Sequence, residues 1–131
     1  GSGWKHVKDF SFNRDRDRYL YSRSKIGLNI HLPEQLREAS EVNERTYQLA
    51  ACGVPQVVDH AKLLDKLFGP KTLFIADTPK QYRDHAEYIL SHPLEAREWA
   101  VRAQREVFEK HTTFHCAYDF AMMVDKAFNP S

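Results

Sequence analysis

The stretch NERTYQ, residues 43–48, places polar and charged side chains at what reads as the mouth of a helix, a setting that suits a phosphorylated ligand. The guanidinium of Arg45 is a planar fork of donors that matches phosphate oxygens two at a time. Asn43 and Glu44 beside it, with Gln48 one turn on, are further candidates for ligand contact. Arg45 and Gln48 are three apart, so on a helix they share one face, as a common ligand needs. If the stretch opens a helix, its first N–H groups lack intrahelical acceptors and carry a partial positive charge, a setting that favours a diphosphate. The plainer reading is a capped and solvated helix start. His31, just after an apolar run, is a further candidate for ligand contact, although a lone loop histidine is more often incidental. His111 and His115 are four apart with Cys116 adjacent, a spacing that allows two metal ligands on one helical turn. There is no second cluster of ligands in the sequence, so no metal is expected.

These residues need elements to hold them. A charged and aromatic segment from Asp15 to Lys25 reads as a helix, and IGLNI (Ile26 to Ile30) as a short buried parallel strand. HLPEQLREAS reads as a loop, of the kind that carries function after a strand. Its acidic residues Glu34 and Glu38, with Glu41 beyond, oppose an open phosphate site unless they face water or pair with Arg37. A helix from about Val42 to Ala51 places Val42, Thr46, Leu49 and Ala50 on one face; Gly53 is set for a left-handed cap and Pro55 stops continuation. QVVD is the second strand, Asp59 is placed to cap a helix HAKLLDKLFG, and TLFIA is the third strand. Thr78, Pro79 and Gln81 form a capping-box signature for a helix to about Leu90, striped by Tyr82, Ala86 and Ile89. Pro93 opens a long helix with Ala96, Ala100, Ala103 and Val107 on one face. Thr112 or Thr113 caps the last helix. Alternating strands and helices predict an α/β chain with a parallel sheet between helical layers, a Rossmann-like α/β/α arrangement.

The 131 residues suffice for one domain with a core. A net charge of +1 gives no basic field for nucleic acid, and no apolar run approaches the roughly 20 residues that span a bilayer. Cys52 and Cys116 lie far apart and are expected to be reduced, which suits the cytoplasm. Tyr19, Tyr21, Trp99 and Phe114 read as core aromatics rather than base-stacking platforms. The last helix differs from the others, because Phe114, Phe120, Met122, Met123 and Phe128 surround much of it. Part of that surface is expected to be exposed, or to face another domain or a second copy.

The run from SKIGLNIHLP through NERTYQLAACGVPQVVD to HTTFHCAYDF resembles the C-terminal half of glycosyltransferases built from two Rossmann-like domains (the GT-B arrangement), closest to the CgeB-like group. The resemblance covers about Tyr19 to Phe128, and GSGW at the start resembles the turn after the first strand of that domain. It implies a nucleotide-diphosphate-sugar donor held here, an acceptor held by an upstream N-terminal domain, no cofactor, and residues 1–131 as part of a longer protein whose first strand lies upstream. Members of the family usually carry a glutamate for ribose hydroxyls where this chain has Gln48, while the arginine three residues earlier is kept as Arg45. The alternative is a nucleotide-binding or interaction module that has lost catalysis. A response-regulator-like domain fits less well, because no acidic pocket with a partner lysine is evident.

Overall fold

The computed structural model describes residues 14–38 and 41–130; GSGW lies outside them. The elements are α1 (Arg14–Arg23), β1 (Gly27–Asn29), α2 (Pro33–Glu38), α3 (Glu44–Ala51), β2 (Gln56–Asp59), α4 (Leu64–Leu67), β3 (Phe74–Ala76), α5 (Pro79–Ser91), α6 (Pro93–Lys110) and α7 (Thr113–Phe128). The three strands are parallel in the order β1-β2-β3, with Leu28 beside Val57 and Val57 beside Phe74.

Successive side chains of a strand leave by opposite faces, so β2 supplies both cores. Val58 joins Ala50, Leu64, Phe68, Ala103 and Val107 on one face. Val57 joins Phe74, Ala76, Ile89 and Ala96 on the other. Both valines are fully buried, as the central strand of a two-sided parallel sheet requires. The α/β/α architecture with a parallel sheet is therefore the fold.

The small residues of α6, Ala96, Ala100 and Ala103, are all buried and allow α6 to lie close along the domain. Gln104 Nε2 donates to Ala51 O at 2.8 Å, closing the C-terminal end of α3, and Glu106 accepts from Gly69 N at 3.0 Å. Trp99 stacks on Phe74 with ring centroids 4.2 Å apart. Gly53 takes φ 67°, the left-handed conformation that ends α3. At Gly27 a Cβ would stand 2.8 Å from Leu49 Cδ1, so the close approach of β1 and α3 depends on a missing side chain.

Four expectations need correction. HLPEQLREAS is not wholly a loop: Pro33 opens α2, with Gln35 Oε1 accepting from Leu32 N at 3.0 Å. Proline is suited to a first helical position because its missing N–H has no intrahelical acceptor there. Asp59 does not cap a helix, because its carboxylate is taken by His31 (2.9 Å from the backbone N) and the following helix is only the single turn α4. Gln81 Oε1 accepts from Asp77 N rather than from the Thr78 N–H, while Thr78 Oγ1 accepts from Gln81 N as expected. Of the aromatics, Tyr19 and Phe114 are exposed (54% and 87%) and do not enter the core. Phe114 belongs to α7, which buries none of its residues; Phe120, Met122, Met123 and Phe128 are exposed with it.

Candidate functional site

Asn29 is the one polar residue in the apolar run of β1, and it is fully buried. A buried amide must find partners. Its Nδ2 donates to Asn43 Oδ1 (3.1 Å) and Thr46 Oγ1 (2.9 Å), and lies 3.4 Å from Gln56 Oε1. Asn43 Nδ2 returns a bond to Asn29 Oδ1 at 2.9 Å. Gln56, also buried, donates from Nε2 to Thr46 O at 2.9 Å. Asn43 is at the same time the N-cap of α3, accepting from Thr46 N at 3.1 Å. One network thus fixes the mouth of α3 against β1 and β2.

The helix so placed forms a wall of a cleft of about 740 Å³. Asn43, Glu44, Arg45 and Gln48 all line it, facing Ile30 and Leu32 from the exit of β1 and Asp17, Arg18 and Tyr21 from α1. Sequence reasoning missed the α1 contribution. The Arg45 guanidinium has no hydrogen-bond or ion-pair partner among the described residues, so its donors are open to a ligand. Gln48 Nε2 donates to Glu44 Oε1 at 2.8 Å. Cys52 also lines the cleft; burial pushes its thiol pKa up, which keeps it from being a reactive thiolate. The feared acidic barrier is weak: Glu34 is exposed and lies 3.4 Å from Arg37, and Glu41 is exposed.

His31 does not line this cleft. Its side chain is fully buried, Nδ1 donates to Asp59 Oδ1 at 2.7 Å, and Nε2 is buried with no partner among the described residues. A smaller hollow of about 310 Å³ lies at the carboxyl ends of the strands, lined by Ile30, Asp59, Ala76, Asp77, Thr78 and Tyr82 among others. Ile30 borders both spaces. Tyr82 Oη donates to Asn29 O and Val57 O, each at 3.2 Å, and burial raises its pKa, which keeps the donor proton. The carboxyl ends of strands are where open parallel sheets hold ligands.

The sequence profile of a family described as glycosyl transferase-like matches residues 1–121. The chain belongs to the glycosyl transferase-like family. No curated protein and no solved structure matches it. Family membership gives the general function, glycosyl transfer, and the match runs from the chain start into α7.

In this glycosyl transferase-like domain the two histidines considered as metal ligands, His111 and His115, make local structural contacts. His111 Nε2 donates to Leu67 O at 2.7 Å and its ring packs against Tyr47 and Phe68. His115 closes a capping box with Thr112 at the start of α7. Among the described residues no group of three or more His, Cys, Asp or Glu could hold a metal, and no helix is long and apolar enough to cross a membrane. Cys52 and Cys116 are both free.

His60 bridges two carboxylates, Asp65 through Nε2 (2.9 Å) and Asp77 through Nδ1 (2.6 Å), tying the exits of β2 and β3 together. The hydrogen bond to Asp65 first, then that to Asp77, raises its pKa above the ordinary 6.5. A folded-state pKa above the unfolded one stabilises fully below the unfolded value, and the gain is lost as pH rises through the folded value. His60→Ala is therefore expected to lower the melting temperature most between about pH 5 and 6.5. The gap to wild type should narrow toward pH 9 in thermal melts, and a gap that stays constant with pH would show that the bridge carries no charge.

Proposed function

We propose that this domain is the C-terminal, donor-binding half of a two-domain (GT-B) glycosyltransferase of the CgeB-like kind. In this reading the cleft beside α3 holds a nucleotide-diphosphate sugar, with Arg45 at the diphosphate and Gln48 toward the ribose. An upstream N-terminal domain of the same protein binds the acceptor, and transfer takes place between the two, in the cytoplasm. Protein donors stabilise the departing diphosphate electrostatically, without a required metal or cofactor.

The observation that carries this reading is the unpartnered Arg45 guanidinium at the capped N-terminus of an eight-residue helix, inside a cleft at the exit of a parallel strand. The helix α7, which buries none of its residues and is apolar on several sides, supports a neighbouring domain as its cover. His31 enters as a brace, holding Asp59 where the strand-end hollow begins. Titration calorimetry of uridine and guanosine diphosphates against the wild-type chain tests the reading. Binding of at least one is expected; failure of both at millimolar concentration would remove donor binding.

Gln48 favours a second reading, a nucleotide-binding or interaction module without catalysis, because an amide cannot serve as a charged acceptor. A sugar-transfer assay on the protein carrying its upstream domain separates the two: transfer supports the enzyme, and nucleotide binding without transfer supports the module.

A further inference from the structure

Helix α7 buries none of its residues. Its apolar side chains surround much of the helix, but one row among them keeps a stricter order. Phe114, Ala117, Ala121, Val124 and Phe128 are spaced three, four, three and four residues apart. That spacing puts all five along one line of a helix, the kind of seam by which two helices pack in a coiled coil. The row carries no charge, and every member of it is exposed. Tyr118 and Phe120 flank it, while Asp119 and Lys126 stand on the far side. The family match ends at residue 121, so Val124 and Phe128 lie beyond the matched region.

We propose that this row is the contact by which two copies of the chain pair, with their α7 helices antiparallel. The order of side-chain sizes argues for that arrangement. In a parallel pair each residue meets its own copy, so phenylalanines crowd at both ends while facing alanines leave a gap. In an antiparallel pair centred between Met122 and Met123, Phe128 lies over Ala117 of the second copy and Val124 over its Ala121. Large then meets small in each layer, which packs without voids. Phe114 closes each end beside Phe128 of the second copy, and the Tyr118 hydroxyl stands near the Asp125 carboxylate across the pair. A two-fold axis makes the contact self-complementary and closes it at two copies. The size fits as well. Phe114, Tyr118, Phe120 and Phe128 each keep at least 65% of their surface. A buried aromatic covers roughly 150–250 Å², so these four bring about 600 Å² per copy. Two copies then bury about 1,200 Å², the area at which specific stable interfaces begin. Met122 and Met123 point away from the row, so pairing leaves another apolar side of α7 for a neighbouring domain. The proposal does not depend on the donor-binding reading.

Sedimentation velocity of the 131-residue chain over a range of concentrations tests it, on the wild type, Ala121→Glu, Val124→Lys and Phe128→Ala. All three positions are exposed, so the variants should fold, and circular dichroism melts check this. The wild type should pass from monomer to dimer in the micromolar range, as an interface of minimum size implies. Each variant should dimerise at least about tenfold more weakly, because it buries an unpaired charge or loses an aromatic anchor. Mixing Ala121→Glu with Val124→Lys should restore the dimer, since the antiparallel register sets the new carboxylate opposite the new ammonium. A wild type that stays monomeric at about 0.5 mM, weaker than any specific dimer of this size, would overturn the proposal and leave α7 to a neighbouring domain. Dimers that none of the three changes weaken would place the contact elsewhere and overturn it too. Weakened variants that fail to recover on mixing would overturn the antiparallel register.

Discussion

Arg45→Ala is expected to bind uridine and guanosine diphosphates about ten- to a hundredfold more weakly than the wild type. The guanidinium is the one cleft-lining group with a formal charge, a fork geometry and no hydrogen-bond or ion-pair partner among the described residues; its charge is felt at Tyr82. A charge-assisted hydrogen bond contributes roughly 1.5–3 kcal/mol, which converts to that range of affinity. Because the residue is exposed, its loss should leave the melting temperature nearly unchanged. Arg45→Lys keeps the charge but not the fork, and should fall between the two. Calorimetry on the three proteins measures the series. Wild-type affinity in a folded Arg45→Ala would return NERTYQ to helix capping and solvation.

Asn29→Ala is expected to produce the largest loss of stability, about 2–4 kcal/mol. The truncation removes both partners that Asn43 finds on β1 and takes the Asn29 bond from Gln56 Oε1 and from Thr46 Oγ1, although Gln56 keeps its bond to Thr46 O and Thr46 Oγ1 keeps its bond to Asn43 Oδ1. Unsatisfied buried groups cost roughly 1–3 kcal/mol each, with some relief from relaxation. For a chain of 131 residues this corresponds to a fall in melting temperature of roughly 8–15 °C. The effect should reach the cleft. Asn43 caps α3, and Arg45 stands two residues beyond that cap, so the variant should bind nucleoside diphosphates more weakly even below its melting point. Differential scanning calorimetry reads the first effect and titration calorimetry the second. A loss below about 1 kcal/mol would mean that the amides rearrange to satisfy one another and that the network does not hold α3.

Much of the helical skeleton follows from chemistry within a few residues. Ala96, Ala100, Ala103 and Val107 recur at helical spacing and are all buried. Gly53 and Pro55 end α3 because one tolerates positive φ and the other cannot continue a helix. The apolar runs of β1, β2 and β3 become parallel strands because helices cover both faces of a sheet that β2 bisects. NERTYQ as the opening of a helix was readable in the same way, since an N-cap, a first turn and a periodic face are all local. So was the exposure of α7, whose apolar residues follow no single stripe.

Contacts across long separations decided the rest. Asn29 looked like a blemish in a strand until Asn43 and Gln56, 14 and 27 residues away, turned it into the hub that places α3. His31 stood beside the candidate site in sequence, yet just past the end of β1 its ring is buried against Asp59, 28 residues away, while Ile30 and Leu32 on either side are exposed and line the cleft. α1 contributes Asp17, Arg18 and Tyr21 to the opposite wall, although nothing in its own composition points to α3. Local pattern fixes which face of an element is apolar, but it does not say which other element meets that face. The side chains of this cleft come from α1, β1's exit and α3, and only the packing of the sheet and helices brings those three together.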